Sequence, residues 1–173
     1  MFRIPKPRPE EHAEYYAKYI RLVGDDALAA LRAQSAATPR MLSGLSEAQA
    51  MHRYAPGKWS VKEVVGHITD AERVFGYRAL RFARADQTPL PGFDENAWVP
   101  AGNFDRRTLP ELVATYEAVR AATVALFSSF DEEALTRVGQ ANDNPFSVRA
   151  LAHITAGHEL HHVALLRERY GLS

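Results

Sequence analysis

The chain has 173 residues, 46% of them apolar and 24% charged, with 21 basic side chains balanced by 21 acidic ones and no cysteine. That length suits a single domain with its own core, and the apolar share at zero net charge excludes a disordered chain. Balanced charge argues against nucleic-acid partners, which draw on a basic excess; the lack of cysteine excludes disulfides, thiolate metal sites and a protein-borne thiol nucleophile. No apolar run approaches the ~18–20 residues of a membrane span, and the first residues, Met1 to Pro9, hold no hydrophobic stretch of a secretory signal. The expectation is a cytoplasmic protein without membrane or nucleic-acid partners.

Residues 1–173 read as one domain in which 1–9 form an extended lead-in, stiffened by Pro5, Pro7 and Pro9. A short helix follows to about Ile20 and breaks near Gly24-Asp25. Leu28, Leu31, Ser35, Thr38, Leu42 and Leu45 then recur every three or four residues, predicting a helix that Pro39 kinks or ends. Ser60-Val61-Lys62-Glu63 is a capping box, with Trp59 before it as a staple. From there Val61, Val64, Val65, Ile68, Ala71, Phe75, Ala79 and Phe82 hold helical spacing to about Ala85.

A second box, Thr108-Leu109-Pro110-Glu111, opens a helix whose inner face carries Leu112, Tyr116, Val119, Thr123 and Leu126. After the turn-rich Asn142-Asp143-Asn144-Pro145, Ser147 caps a last helix that ends before Gly171. Nothing alternates with the period of a strand, so the expected class is all-α, a four-helix bundle. The connection from Asp86 to Arg107 is far longer than a tight turn needs. It can return along the bundle, leaving the helices on either side parallel, and can cover a site as a lid.

Four of the seven histidines fall in the last helix: His153, His158, His161 and His162. His158 and His162 are one turn apart on the face that carries Leu151, Thr155 and Leu165, and His67 lies on the inner side of the capped helix. Three imidazoles facing one core can hold a divalent ion and leave positions open for water or substrate; Zn, Ni, Fe(II) and Cu all accept such ligands. The alternative for each is a histidine hydrogen-bonded in the core. A buried pair is harder to explain that way, because leucine would pack better at less desolvation cost. His158-Glu159-Leu160-His161-His162 also matches H-E-x-x-H, the zinc protease helix with its Glu as general base. No histidine follows to complete that set, and no predicted strand is there to hold a peptide.

Tyr54 to Ile68, which contains Gly57-Lys58-Trp59-Ser60 and His67, resembles the second-helix signature of the DinB-like (DinB/YfiT) superfamily. Pro91-Gly92-Phe93-Asp94-Glu95-Asn96 and Ala156-Gly157-His158-Glu159-Leu160-His161-His162 resemble its loop and last-helix motifs. The resemblance runs from about Pro9 to Tyr170. It implies up-down-down-up topology with long crossover loops, and one divalent metal on His67, His158 and His162, Zn or Ni foremost and Fe or Mn also compatible. The superfamily includes S-transferases that use bacillithiol, mycothiol or glutathione, and a maleylpyruvate isomerase; its members are often homodimers. The similarly named translesion polymerase is unrelated.

The expected function is therefore a metal-dependent transferase that activates a low-molecular-weight thiol for attack on a small electrophile. A chain without cysteine must take that thiol from a cosubstrate. The alternatives are a hydrolase using metal-bound water and a non-catalytic metal- or ligand-binding dimer. Water activation calls for a base, for which Glu72, Asp94 and Glu95 are the candidates; the competing roles are an ion pair with a nearby Arg for Glu72 and loop capping for the other two. Arg78, Arg81 and Arg84, three apart, form either a solvated stripe or a receiver for an acidic thiol or substrate. Phe93 and Trp98 either line the site or anchor the loop.

Overall fold

A computed structural model describes residues 2–173. Four long helices make the bundle: α2 (Ala27–Leu42), α4 (Val61–Ala83), α6 (Leu109–Ser128) and α8 (Val148–Tyr170). Shorter helices lie between and before them: α1 (Glu14–Ile20), α3 (Glu47–Ala50), α5 (Glu95–Gly102) and α7 (Glu132–Thr136). The helix starts follow the local chemistry. Ser60 with Glu63 and Thr108 with Glu111 form complete capping boxes, and Ser147 accepts from the Ala150 N–H. α2 runs three residues past Pro39 before it stops.

Paired contacts fix the direction of each helix. Glu72 meets Arg120 and Gly76 meets Leu126, so α4 and α6 run parallel. His67 meets His158 while Trp59 accepts from Tyr170 at 2.7 Å, so α4 and α8 are antiparallel. Gln34 meets Ala156 and Thr38 meets Glu159, so α2 and α8 are parallel. The topology is up-down-down-up. The parallel pair needs the long connection between α4 and α6, which its length allows. That connection is closely packed. It carries α5, and Phe104 seats its ring against Gly66 so tightly that a Cβ there would lie 2.4 Å from it.

One expectation is corrected. A two-stranded antiparallel hairpin, β1 (Val138–Ala141) and β2 (Asn144–Ser147), precedes α8. Its turn residues Asn142 and Asp143 have φ of 49° and 58°, a pairing that Asn and Asp tolerate and that matches strand twist. Four-residue strands holding Gly139 and Pro145 offer no alternation to detect, and they form because Phe146 is buried and the ring of Phe82 packs on Gly139.

The core has two apolar zones. One gathers Leu28, Leu31, Phe75, Phe82, Phe127 and Leu151; the other gathers Leu42, Val65, Ile68, Leu112 and Leu166. Every long helix carries buried polar residues near the junction of these zones: Gln34 and Thr38, Glu72, Arg120 and Thr123, His158 and Glu159. This polar layer crosses the whole bundle and sets the position of the site.

Candidate metal centre

His67 from α4 and His158 and His162 from α8 converge where those two helices cross. One ligand nitrogen from each lies within 4.8 Å of the others. The Nε2 atoms of His67 and His158 are 3.0 Å apart, the spacing of two ligands at right angles about 2.1 Å from one ion. Burial holds the rings neutral. It pushes His67 down to about 4 and His162 to about 3, and His158 well below its usual value with the neighbouring imidazoles adding to the effect. Neutral, convergent nitrogens are the donor set a divalent ion requires.

Aromatic side chains wall the cluster. Trp59 lies 4.8 Å from the His67 ring between centroids, Tyr19 lies 5.4 Å and Phe75 5.8 Å from His158. A cavity of 480 Å³ opens from the histidines, lined also by Tyr15, Tyr16, Lys18, Arg78, Phe93 and Glu95. Its volume suits a small organic molecule. Burial raises the hydroxyls of Tyr16 and Tyr19 above the usual phenol value, so both stay protonated. His161 is half-buried against Tyr19 and is not one of the three converging rings.

The acidic candidates separate. Glu72 does not reach the cavity; its two oxygens accept from Arg120 at 2.8 and 2.7 Å, and both side chains are buried. Five residues after His67, it faces α6 rather than the site. Asp94 is exposed and caps α5, accepting from the Asn96 and Ala97 N–H groups. Glu95, one residue on, is half-buried and lines the cavity. Glu159, the carboxylate of the protease-like match, is fully buried and accepts from Tyr116 at 2.8 Å and from Thr38 and Arg120. It cannot serve as a base for a bound peptide.

The remaining candidates sort by the connection that folds over α4. Arg78 is buried in the cavity wall, Arg81 is half-buried in an ion pair with Asp86, and Arg84 is exposed. Phe93 lines the cavity, whereas Trp98 packs against it with ring centroids 4.9 Å apart, does not line the cavity and is exposed. The contribution of α1 had no signal beyond its run of tyrosines. Tyr15, Tyr16, Lys18 and Tyr19 reach the cavity because α1 lies directly against α8 at Gly157.

Comparison with known proteins agrees with this architecture. A protein of Oceanobacillus iheyensis, provisionally named a metal-dependent hydrolase, is 28% identical over 73% of this chain and 73% of its own. A similarly named protein of Geobacillus kaustophilus is 28% identical over 83% of this chain and 84% of its own. Among solved structures, YfiT from Bacillus subtilis, described provisionally as a metal-dependent hydrolase with an unusual four-helix bundle topology, superposes with a TM-score of 0.72 at 21% identity, covering 97% of this chain and 94% of YfiT. A mycothiol-dependent maleylpyruvate isomerase superposes with a TM-score of 0.64 at 15% identity over 79% of this chain and 58% of its own. The family model of the DinB superfamily matches residues 30–166, and the chain is a member of that superfamily.

Proposed function

We propose that the protein is a metal-dependent enzyme that uses His67, His158 and His162 to hold one divalent ion, Zn or Ni foremost, and joins a low-molecular-weight thiol to a small electrophile. The observation that carries this reading is the donor set itself: three neutral imidazoles converging at the end of a 480 Å³ aromatic cavity in a chain with no cysteine. When bound, the ion supplies the positive charge that lowers a thiol's pKa toward neutrality.

The chain's own groups do the rest. The three histidines would hold the ion, and with it the place of the thiol, at the wall of the cavity. Trp59, Tyr19 and Phe75 keep water from that place, and the cavity walls hold the electrophile beside it. A sulfur–carbon bond then forms as the leaving group departs with the bonding electron pair, or as the sulfur adds to one carbon of an activated alkene and the thiol proton is returned to the other. Glu95, the acidic residue lining the cavity, is the acceptor at hand for the thiol proton. Neither Glu72 nor Glu159 is free to take it, since Arg120 holds both.

A second reading, hydrolysis by activated water, is supported by the same Glu95 and by the hydrolase names of the relatives. Elemental analysis of purified protein, followed by a panel of bacillithiol, mycothiol, glutathione and cysteine against aryl halides, epoxides and activated alkenes, tests the proposal. Thiol-dependent product that disappears with His158→Ala is the expected result. Ester or amide cleavage without any thiol, lost in the same variant, would replace the transferase with the hydrolase.

A further inference from the structure

Arg78 is a buried cation of the cavity wall that the metal reading leaves unused. It lies on α4, eleven residues and about three turns beyond His67, so both side chains leave the same face of the helix. Side chains on a helix lean toward its N-terminus, which points Arg78 back toward the histidines. The side chain is 2% exposed. One nitrogen donates to the Pro91 carbonyl at 2.9 Å, the guanidinium faces the Tyr16 hydroxyl, and its carbon lies 5.9 Å from the centre of the Phe93 ring. Among the described residues no carboxylate lies within ion-pair distance of it.

A buried charge without a counter-charge costs several kcal/mol in general. Holding the Pro91 carbonyl would need only a neutral amide, and the two partners above leave several of the five guanidinium donors free. The other buried cations of this protein are answered: Arg120 by Glu72 and Glu159, Lys62 by Glu47. Arg78 is the exception, and it is the one that opens on the cavity. The charged groups around that space are Lys18, Glu95 and Arg78, which leave it one positive charge in excess before any metal is counted.

We propose that the small molecule handled at the three-histidine centre carries a carboxylate that docks on Arg78, in the wall of the same cavity. The planar fork of arginine matches a carboxylate through two parallel hydrogen bonds, a geometry lysine cannot supply. The substrate class is then a monoanion or dianion that reaches from the histidines to Arg78, not a neutral electrophile paired with a neutral thiol. The assignment rests on the proposed metal site only for the identity of the other end.

Three probes separate the two ends. Calorimetric titration of zinc-loaded protein with 6-mercaptohexanol reads the histidine end, hexanoate reads Arg78, and 6-mercaptohexanoate reads both. The carboxylated thiol should bind at least tenfold more tightly than the alcohol, and this gain should vanish in Arg78→Gln while zinc content stays at the wild-type level. Hexanoate should bind wild type more tightly than Arg78→Gln. If 6-mercaptohexanol fails to bind, the thiol reading of the centre falls while hexanoate still decides Arg78. An equal gain in wild type and Arg78→Gln, or no gain in wild type, overturns the proposal. Hexyl phosphate binding more tightly than hexanoate overturns the choice of carboxylate. Arg78→Lys keeps the charge and serves where Arg78→Gln does not fold; it should lose most of the gain through loss of the paired geometry.

Discussion

The α-carbon of Gly157 faces the main-chain carbonyl of Tyr19 so closely that a Cβ at 157 would stand 2.1 Å from that oxygen. A backbone atom cannot swing aside as a side-chain tip does, so α1 owes its place against α8 to the absence of one methyl group. Gly157→Ala should push α1 outward and cost about 1–3 kcal/mol, the usual range for overpacking. Urea denaturation would measure that loss. Trypsin should also cut earlier at Lys18, since α1 would lose its seat. Wild-type stability and cleavage would show that α1 is held by other contacts.

Acid should destabilise the protein even after chelation. Burial holds His67, His158, His162 and His153 below their ordinary values, and His153 Nε2 has no hydrogen-bond partner among the described residues. The unfolded chain binds these protons near pH ~6.5 and the folded chain resists them. Stability is therefore full above that pH and falls as pH drops below it, until the folded values are reached, about 4 for His67 and about 3 for His162. In that window His67 and His162 each cost on the order of 1 kcal/mol per pH unit, and His153 and His158 add in the same direction. Denaturation of chelated protein at two pH values, one on either side of the window's upper edge, should show the difference; equal midpoints would mean the rings titrate normally when folded.

Removing Arg120 should be far worse than removing either of its partners. Arg120→Met leaves the carboxylates of Glu72 and Glu159 buried together without a cation, a loss of about 3–5 kcal/mol. Glu72→Gln keeps hydrogen bonding to Arg120 and leaves one cation with one anion, so its cost should be smaller. Thermal unfolding of the two variants gives the order, and a more damaging Glu72→Gln would contradict it.

Adjacent acids on the loop should behave differently. Asp94→Ala removes a helix cap and should cost about 1 kcal/mol while turnover per folded molecule stays near wild type. Glu95→Gln should leave stability nearly unchanged and lower turnover at neutral pH. Rates corrected for folded fraction separate the two, and equal turnover in both variants would remove Glu95 from the reaction.

The long helices, their caps and the three converging histidines were legible because each is written locally, in helical spacing and in boxes such as Ser60–Glu63. The direction of α6 was allowed by the loop length and implied by the superfamily resemblance. What escaped depends on partners distant in the chain. Glu72 and Arg120 are separated by 48 positions, so no local pattern distinguishes that pair from a solvated carboxylate. Arg78, Arg81 and Arg84 look alike in sequence, and only the packed connection between α4 and α6 buries the first. The hairpin before α8 is too short, with Gly139 and Pro145 in it, to alternate.

Arg120 donates toward the Leu31 carbonyl and the Gln34 side chain on α2, Glu72 on α4 and Glu159 on α8. One guanidinium thus touches all three neighbouring long helices of the bundle. Peeling any of them away strands a charge in the middle of the core, so partial opening of a single long helix gains little over complete unfolding. In native-state hydrogen exchange, the central amides of all four should therefore open as one cooperative unit, with only α1, α5 and the chain ends exchanging ahead of them. The geometry of the histidine cluster inherits that cooperativity: His67 and His158 stay in register for as long as the bundle exists at all.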